Sequence, residues 1–177
     1  MEGLMEIAQL GNPVLRQRAE AVKTSEFSEL QPFFADLEKT MIVHHGVGIA
    51  APQVSESIRA FIVAPKPNSR YPNAPLMPPT LMLNPKLISQ SENIEMDWEG
   101  CLSIPGIRAK VPRASEIEVS YQTLDGNTVD TQFSGFAARV FLHELDHLEG
   151  IVFLDRTDSS EYVTDAEFMR IIEADMR

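Results

Sequence analysis

Apolar residues return at three- and four-residue spacing in three stretches of the 177-residue chain and alternate at two-residue spacing between them. The first stretch, residues 25–44, sets Phe27, Leu30, Phe33, Phe34, Leu37 and Met41 on one helical face, with Glu29, Gln31, Glu38 and Lys39 between them. The second, SGFAARVFLHELDHLEG at residues 134–150, repeats Phe136, Val140, Phe141 and Leu148; Ser134 is placed to cap its start, and Gly150 suits a left-handed turn past its end. The third, residues 164–175, has Thr164 and Glu167 at capping-box spacing and Phe168, Ile171 and Ile172 on one face. Strand-like runs occupy residues 59–64 (RAFIVA), 80–88 (TLMLNPKLI) and 117–121 (IEVSY), and LDGN at 124–127 supplies a hairpin turn into residues 128–133. Residues 151–154 read as a short apolar strand, and the proline-rich residues 65–79 as an ordered or extended loop. Strands with helices segregated around them give an α+β fold and exclude a wound parallel sheet.

Chemistry concentrates in the second helix. His143 and His147 are four apart, so both imidazoles leave one side of the helix a turn apart, as a two-ligand metal clamp. Glu144 sits one residue round, placed to reach a water on the metal rather than the metal itself, which makes HELDH two ligands and a general base. A metal needs at least one more donor. Cys101, His44, His45, Glu161 and Glu167 are the candidates, and the thiolate of Cys101, in a tight Gly-Cys-Leu turn, is the strongest ligand among them. GVGIAAPQ at 46–53 is neither a helix nor an ordinary strand. Gly46 and Gly48 let a backbone come close to something, so the stretch is either a glycine-rich connection or a loop that faces substrate. The absence of a third glycine rules out a dinucleotide fingerprint.

Length and composition narrow the setting. One domain spanning residues 1–177 is expected, with a core large enough to need no disulfide. A single cysteine forms no internal disulfide, no apolar run is as long as a membrane span, and the first ten residues lack a signal-peptide pattern, so a cytoplasmic protein is expected. Fifteen Lys and Arg against 26 Asp and Glu give a formal charge of -11, which argues against nucleic-acid binding by the surface. Glu92, Glu95, Asp97 and Glu99, like Asp155, Asp158 and Glu161, are expected to form solvated faces.

Together, GVGIAAPQ (46–53), EGCLS (99–103) and HELDH (143–147) resemble the three motifs of the peptide deformylases, which remove the formyl group from the initiating methionine of new bacterial and organellar proteins. Residues 12–16 (NPVLR) and 104–113 (IPGIRAKVPR) extend the likeness, which runs from about residue 6 to 156. The resemblance implies antiparallel or mixed sheets packed around the HExxH helix. It also implies one divalent metal on Cys101, His143 and His147, typically Fe2+, with Zn2+, Ni2+ or Co2+ able to replace it. Glu144 would be the base, Gln53 and the Leu102 backbone N–H would stabilise the oxyanion, and the Gly46, Val47 and Gly48 backbone would bind substrate as an added strand. Val47, Phe136, Val140 and Arg108 would lie near the methionine pocket, and N-formylmethionyl peptides or nascent chains would be the partners. Two other classes remain at this point: an HExxH metallopeptidase acting on unformylated peptides with a ligand other than Cys101, and a binding homologue without turnover. Residues 159–177 carry two arginines against five acidic residues, so weak ribosome binding is expected.

Overall fold

The structure, a computed structural model, describes residues 3–67, 72 and 74–175. Among these, eight strands form two antiparallel sheets. β1 (Gly48–Ala50), β2 (Ala60–Val63), β3 (Thr80–Gln90), β6 (Glu116–Gln122) and β7 (Thr128–Ser134) make a five-stranded sheet in that order. β4 (Ile94–Cys101), β5 (Ile104–Ala114) and β8 (Tyr162–Thr164) make a three-stranded one. The helices are α1 (Gln31–Val43), α2 (Gly135–Leu148) and α3 (Asp165–Asp175).

The period of two along the strands explains how the layers stack. Phe61, Val63 and Met82 face one side of the five-stranded sheet and pack with Ala138, Phe141 and Leu148 of α2. Ala60, Ile62 and Leu83 face the other side and pack with Phe34, Leu37 and Met41 of α1. The Phe61 and Phe141 rings meet edge-on at 5.2 Å, an arrangement their quadrupoles favour. A third cluster joins Ile104, Ala109 and Val111 of the smaller sheet to Val152 and Phe153. α2 thus runs between the two sheets, and ten of its residues are buried.

Three elements differ from the sequence reading. α1 begins at Gln31, not near residue 25, because Pro32 lacks an N–H and fits only the first helical turn; residues 24–26 form a separate 3-10 turn. Residues 151–154 are not a strand. Val152 N donates to Asp155 Oδ2 at 2.9 Å and Phe153–Arg156 coils into a 3-10 turn, so the apolar run there reflects burial, not pairing. The long β4–β5 hairpin is absent from the apolar pattern because Pro105, Gly106, Pro112 and several charges interrupt it. Both prolines lie outside Ile107, Arg108 and Ala109, the three positions at which β5 also has β8 beside it.

Ser134 stands at the N-cap of α2 without a side-chain capping bond, and residues 48–50 of the glycine-rich stretch pair as an edge strand, while the turns and the α3 cap match expectation. Gly126 takes φ +79 in the LDGN turn, Gly150 takes φ +72 after α2, and Thr164 Oγ1 accepts from Glu167 N at 3.3 Å. The two glycines of GVGIAAPQ open onto the sheet edge, where β1 is three residues long and a 3-10 turn (Ala51–Val54) follows it. No helix among the described residues is long and apolar enough to cross a membrane. Residues 68–71 and 73 of the proline-rich segment lie outside the described residues, and its described part contains no helix.

Candidate active site

α2 turns its chemistry toward the smaller sheet. His143 and His147 are buried with ring centres 5.1 Å apart, and β4 ends on Cys101 opposite them. The ligand-capable atoms of Cys101, His143 and His147 all lie within 4.8 Å of one another, and Cys101 Sγ is 3.2 Å from His147 Nε2. His44, His45, Glu161 and Glu167 are not in this group; of the candidate third donors, Cys101 is the one that lies beside both imidazoles among the described residues. Burial pushes the thiol up, but charge on His147 and hydrogen bonds with both imidazoles outweigh it and hold Cys101 well below the ordinary thiol range. The thiolate is the form that binds metal.

Two buried atoms beside this group, Glu144 Oε2 and His147 Nδ1, have no hydrogen-bond partner among the described residues. Buried polar atoms are seldom left in that condition. A carboxylate oxygen without a donor, next to one thiol and two imidazoles, fits a site built around a cation. Burial also pushes the Glu144 carboxyl up to about 7, against the pull of His143 and His147, which suits a group that must both take and give a proton near neutral pH.

Glu99 corrects the expectation of a solvated acidic face. It is 4% exposed. Its Oε2 lies 2.9 Å from His143 Nδ1, and it accepts two bonds from Arg113, at 2.9 and 3.0 Å, and one from Arg139 at 3.0 Å. Burial raises this carboxyl, yet the hydrogen bond with His143 and the Arg113 guanidinium hold it well below the usual carboxylate range. By engaging Nδ1, Glu99 orients the ring and would leave Nε2 free to meet a metal. Asp146 holds Arg113 from α2, accepting from its Nη1 at 2.6 Å, and also accepts from Arg156 Nε at 3.0 Å. Sequence reasoning passed over Arg113, Arg139 and Asp146. The only signal for Glu99 was its place two residues before Cys101.

The remaining residues proposed from sequence line one cleft: Gly46, Val47, Gly48, Gln53, Leu102, Arg108, Phe136, Val140 and Glu144 all face it. Gln53 is fixed on three sides. Its Oε1 accepts from Ala50 N at 2.8 Å, and its Nε2 donates to Ser103 Oγ at 3.2 Å and Cys101 Sγ at 3.3 Å. Gly48 is a glycine for a steric reason: a Cβ there would lie 2.9 Å from both Glu144 Cδ and Val140 Cγ1.

The polypeptide deformylase family model matches residues 4–162. A peptide deformylase 2 from a Nostoc species is 48% identical over 170 residues, covering 96% of this chain and 95% of that protein. The chain belongs to the polypeptide deformylase family. A class I type b peptide deformylase from Acinetobacter baumannii, solved with Met-Ala-Ser bound, superposes with a TM-score of 0.86 at 43% identity, covering 89% of this chain and 100% of that one. The deformylase from Thermotoga maritima gives a TM-score of 0.77 at 36% identity, covering 88% and 98%. The α+β arrangement of antiparallel sheets around α2 is therefore the deformylase fold, and deformylases bind a divalent metal.

Proposed function

We propose that residues 1–177 act as a single catalytic domain, a metal-dependent hydrolase that removes the formyl group from the N-terminal formylmethionine of newly made proteins and releases formate. The observation that carries this reading is the meeting of one thiol, two imidazoles and an unpartnered buried carboxylate at a cleft walled by a glycine-rich sheet edge. Cys101, His143 and His147 hold one divalent ion, and this donor set accepts several first-row metals; membership of the deformylase family points to Fe2+ as the native ion, with Zn2+, Ni2+ or Co2+ as replacements. When bound, such an ion supplies Lewis acidity, polarising a carbonyl and making a water more acidic.

The chain's own groups do the rest. Glu144 accepts the water proton and returns it to the amide nitrogen as the C–N bond breaks, because an amine is otherwise a poor leaving group. Gln53 Nε2, exchanging its long bond to Cys101 Sγ for one to substrate, and the Leu102 backbone N–H donate to the formyl oxygen as negative charge builds on it. β1 is an edge strand, so the backbone at Gly46, Val47 and Gly48 takes the peptide as an added strand. Val47, Phe136, Val140 and Arg108 lie near the methionine side-chain pocket. The close approach enforced at Gly48 favours a formyl group over larger acyl groups.

A cytoplasmic, bacterial-type setting fits this substrate, and a charge of -11 favours meeting formylated chains by diffusion rather than through ribosomal RNA. Formate release from formyl-Met-Ala-Ser, with metal analysis of the same sample, tests the reading. Metal-loaded wild type is expected to release formate, and Cys101→Ala to lose both metal and activity. Metal retained in Cys101→Ala would favour a peptidase with another ligand. No formate from metal-loaded wild type would overturn the reading.

A further inference from the structure

α3 does not line the cleft, yet it holds two residues that do. β8 pairs with β5 so that Arg108 lies opposite Val163, and the chain enters α3 two residues later at Asp165. Asp165 Oδ1 accepts from Arg108 Nε at 2.8 Å. One turn on, the Phe168 ring, 1% exposed, has the Arg108 guanidinium 5.2 Å from its centre and meets Trp98 edge-on at 5.3 Å. Arg108 and Trp98 both line the cleft, on the neighbouring strands β5 and β4. Gly100 completes the arrangement: a Cβ there would lie 2.5 Å from Arg108 Cζ, so only glycine lets the guanidinium lie across the strand beside Cys101.

A cation in the wall of a cleft raises the local concentration of anionic ligands and disfavours cationic ones. Asp165 offsets that charge from behind, while Phe168 fixes the guanidinium plane through a cation–π contact and braces Trp98. We propose that Asp165 and Phe168 are positioning residues for substrate recognition: they hold Arg108 and Trp98 in the cleft wall and keep the cleft indifferent to the charge of the residues after the methionine. The proposal rests on the deformylase reading, whose substrates carry every kind of side chain in those positions. It assigns the acidic C-terminal helix a part in selectivity that its sequence, which bears no site motif, does not suggest.

The test uses C-terminally amidated tripeptides, so that no terminal carboxylate competes for Arg108. Formyl-Met-Ala-Ser, formyl-Met-Asp-Ser and formyl-Met-Lys-Ser amides are compared on the metal-loaded full chain. Wild type should treat the three alike in kcat/KM. Asp165→Asn should create a preference for Asp over Lys of about tenfold, carried by KM. Asp165→Glu should restore the wild-type pattern, and Phe168→Leu should raise KM for all three peptides. Calorimetric binding of the unformylated Met-Asp-Ser and Met-Lys-Ser amides should show the same ratios, a readout that stands even if no formate is released and so separates this proposal from the deformylase reading. An Asp-to-Lys ratio unchanged in Asp165→Asn would overturn it.

Discussion

Glu99 supports the candidate metal ligands through His143. It lines the cleft, and it is also the partner of His143 Nδ1 and the shared acceptor of Arg113 and Arg139. Glu99→Gln keeps the volume and removes the charge, leaving two buried guanidiniums short of an acceptor and the ring free to turn. Metal affinity is expected to fall about 10–100-fold, the usual cost of losing such a partner, and competition with a chelator measures it. The stability effect has a definite sign. The folded carboxyl lies below its ordinary 4.5, so the stabilisation is complete above that pH and is lost progressively as pH falls beneath it. The difference in Tm between wild type and Glu99→Gln should therefore be largest near neutrality and close in acid; a difference that does not change with pH would contradict the assignment. None of this was legible beforehand. HELDH announces its ligands by four-residue spacing, and Cys101 by being the strongest donor left. A buried carboxylate in a run of solvated ones declares itself only when Arg113 and Arg139, 14 and 40 residues away in sequence, are folded onto it.

Among the elements, legibility followed the regularity of the pattern. α2, α3 and the β6–β7 hairpin appeared in the sequence because period and punctuation agreed: apolar faces at helical spacing, Thr164 at a cap, Gly126 and Gly150 where positive φ is needed. β4 and β5 did not, since their positions in the smaller sheet tolerate prolines and glycines that read as breaks. α1 and α2 then divide the work across the larger sheet. α1 covers the face away from the metal ligands, and Leu37 at its centre is fully buried against residues such as Ile49 and Ile62. Leu37→Ala is expected to destabilise the fold by about 2–5 kcal/mol, transfer and cavity together, while metal stoichiometry at low temperature stays at one. A thermal melt with metal analysis checks this, and loss of the metal in the still-folded variant would show that α1 supports the site more directly than its packing implies.

At the scale of the whole molecule, charge and the placement of α2 decide behaviour. A net -11, with an acidic C-terminal helix in which Arg170 is already paired with Glu167, gives ribosomal RNA little to attract. Co-sedimentation at physiological salt should leave the protein in the supernatant; tight binding that disappears when residues 160–177 are deleted would contradict the charge argument. The two sheets, in turn, hold α2 so that His143 and His147 face Cys101 while Glu144 Oε2 stays buried without a hydrogen-bond partner among the described residues. That separation of ligands from base is the centre of the account, and Glu144→Ala tests it most directly. Formate release from a formyl-Met peptide should fall by at least about 10²–10⁴-fold, the usual weight of a general base, while one metal per chain remains bound. Loss of the metal along with the carboxylate, or formate release that survives the substitution, would contradict it.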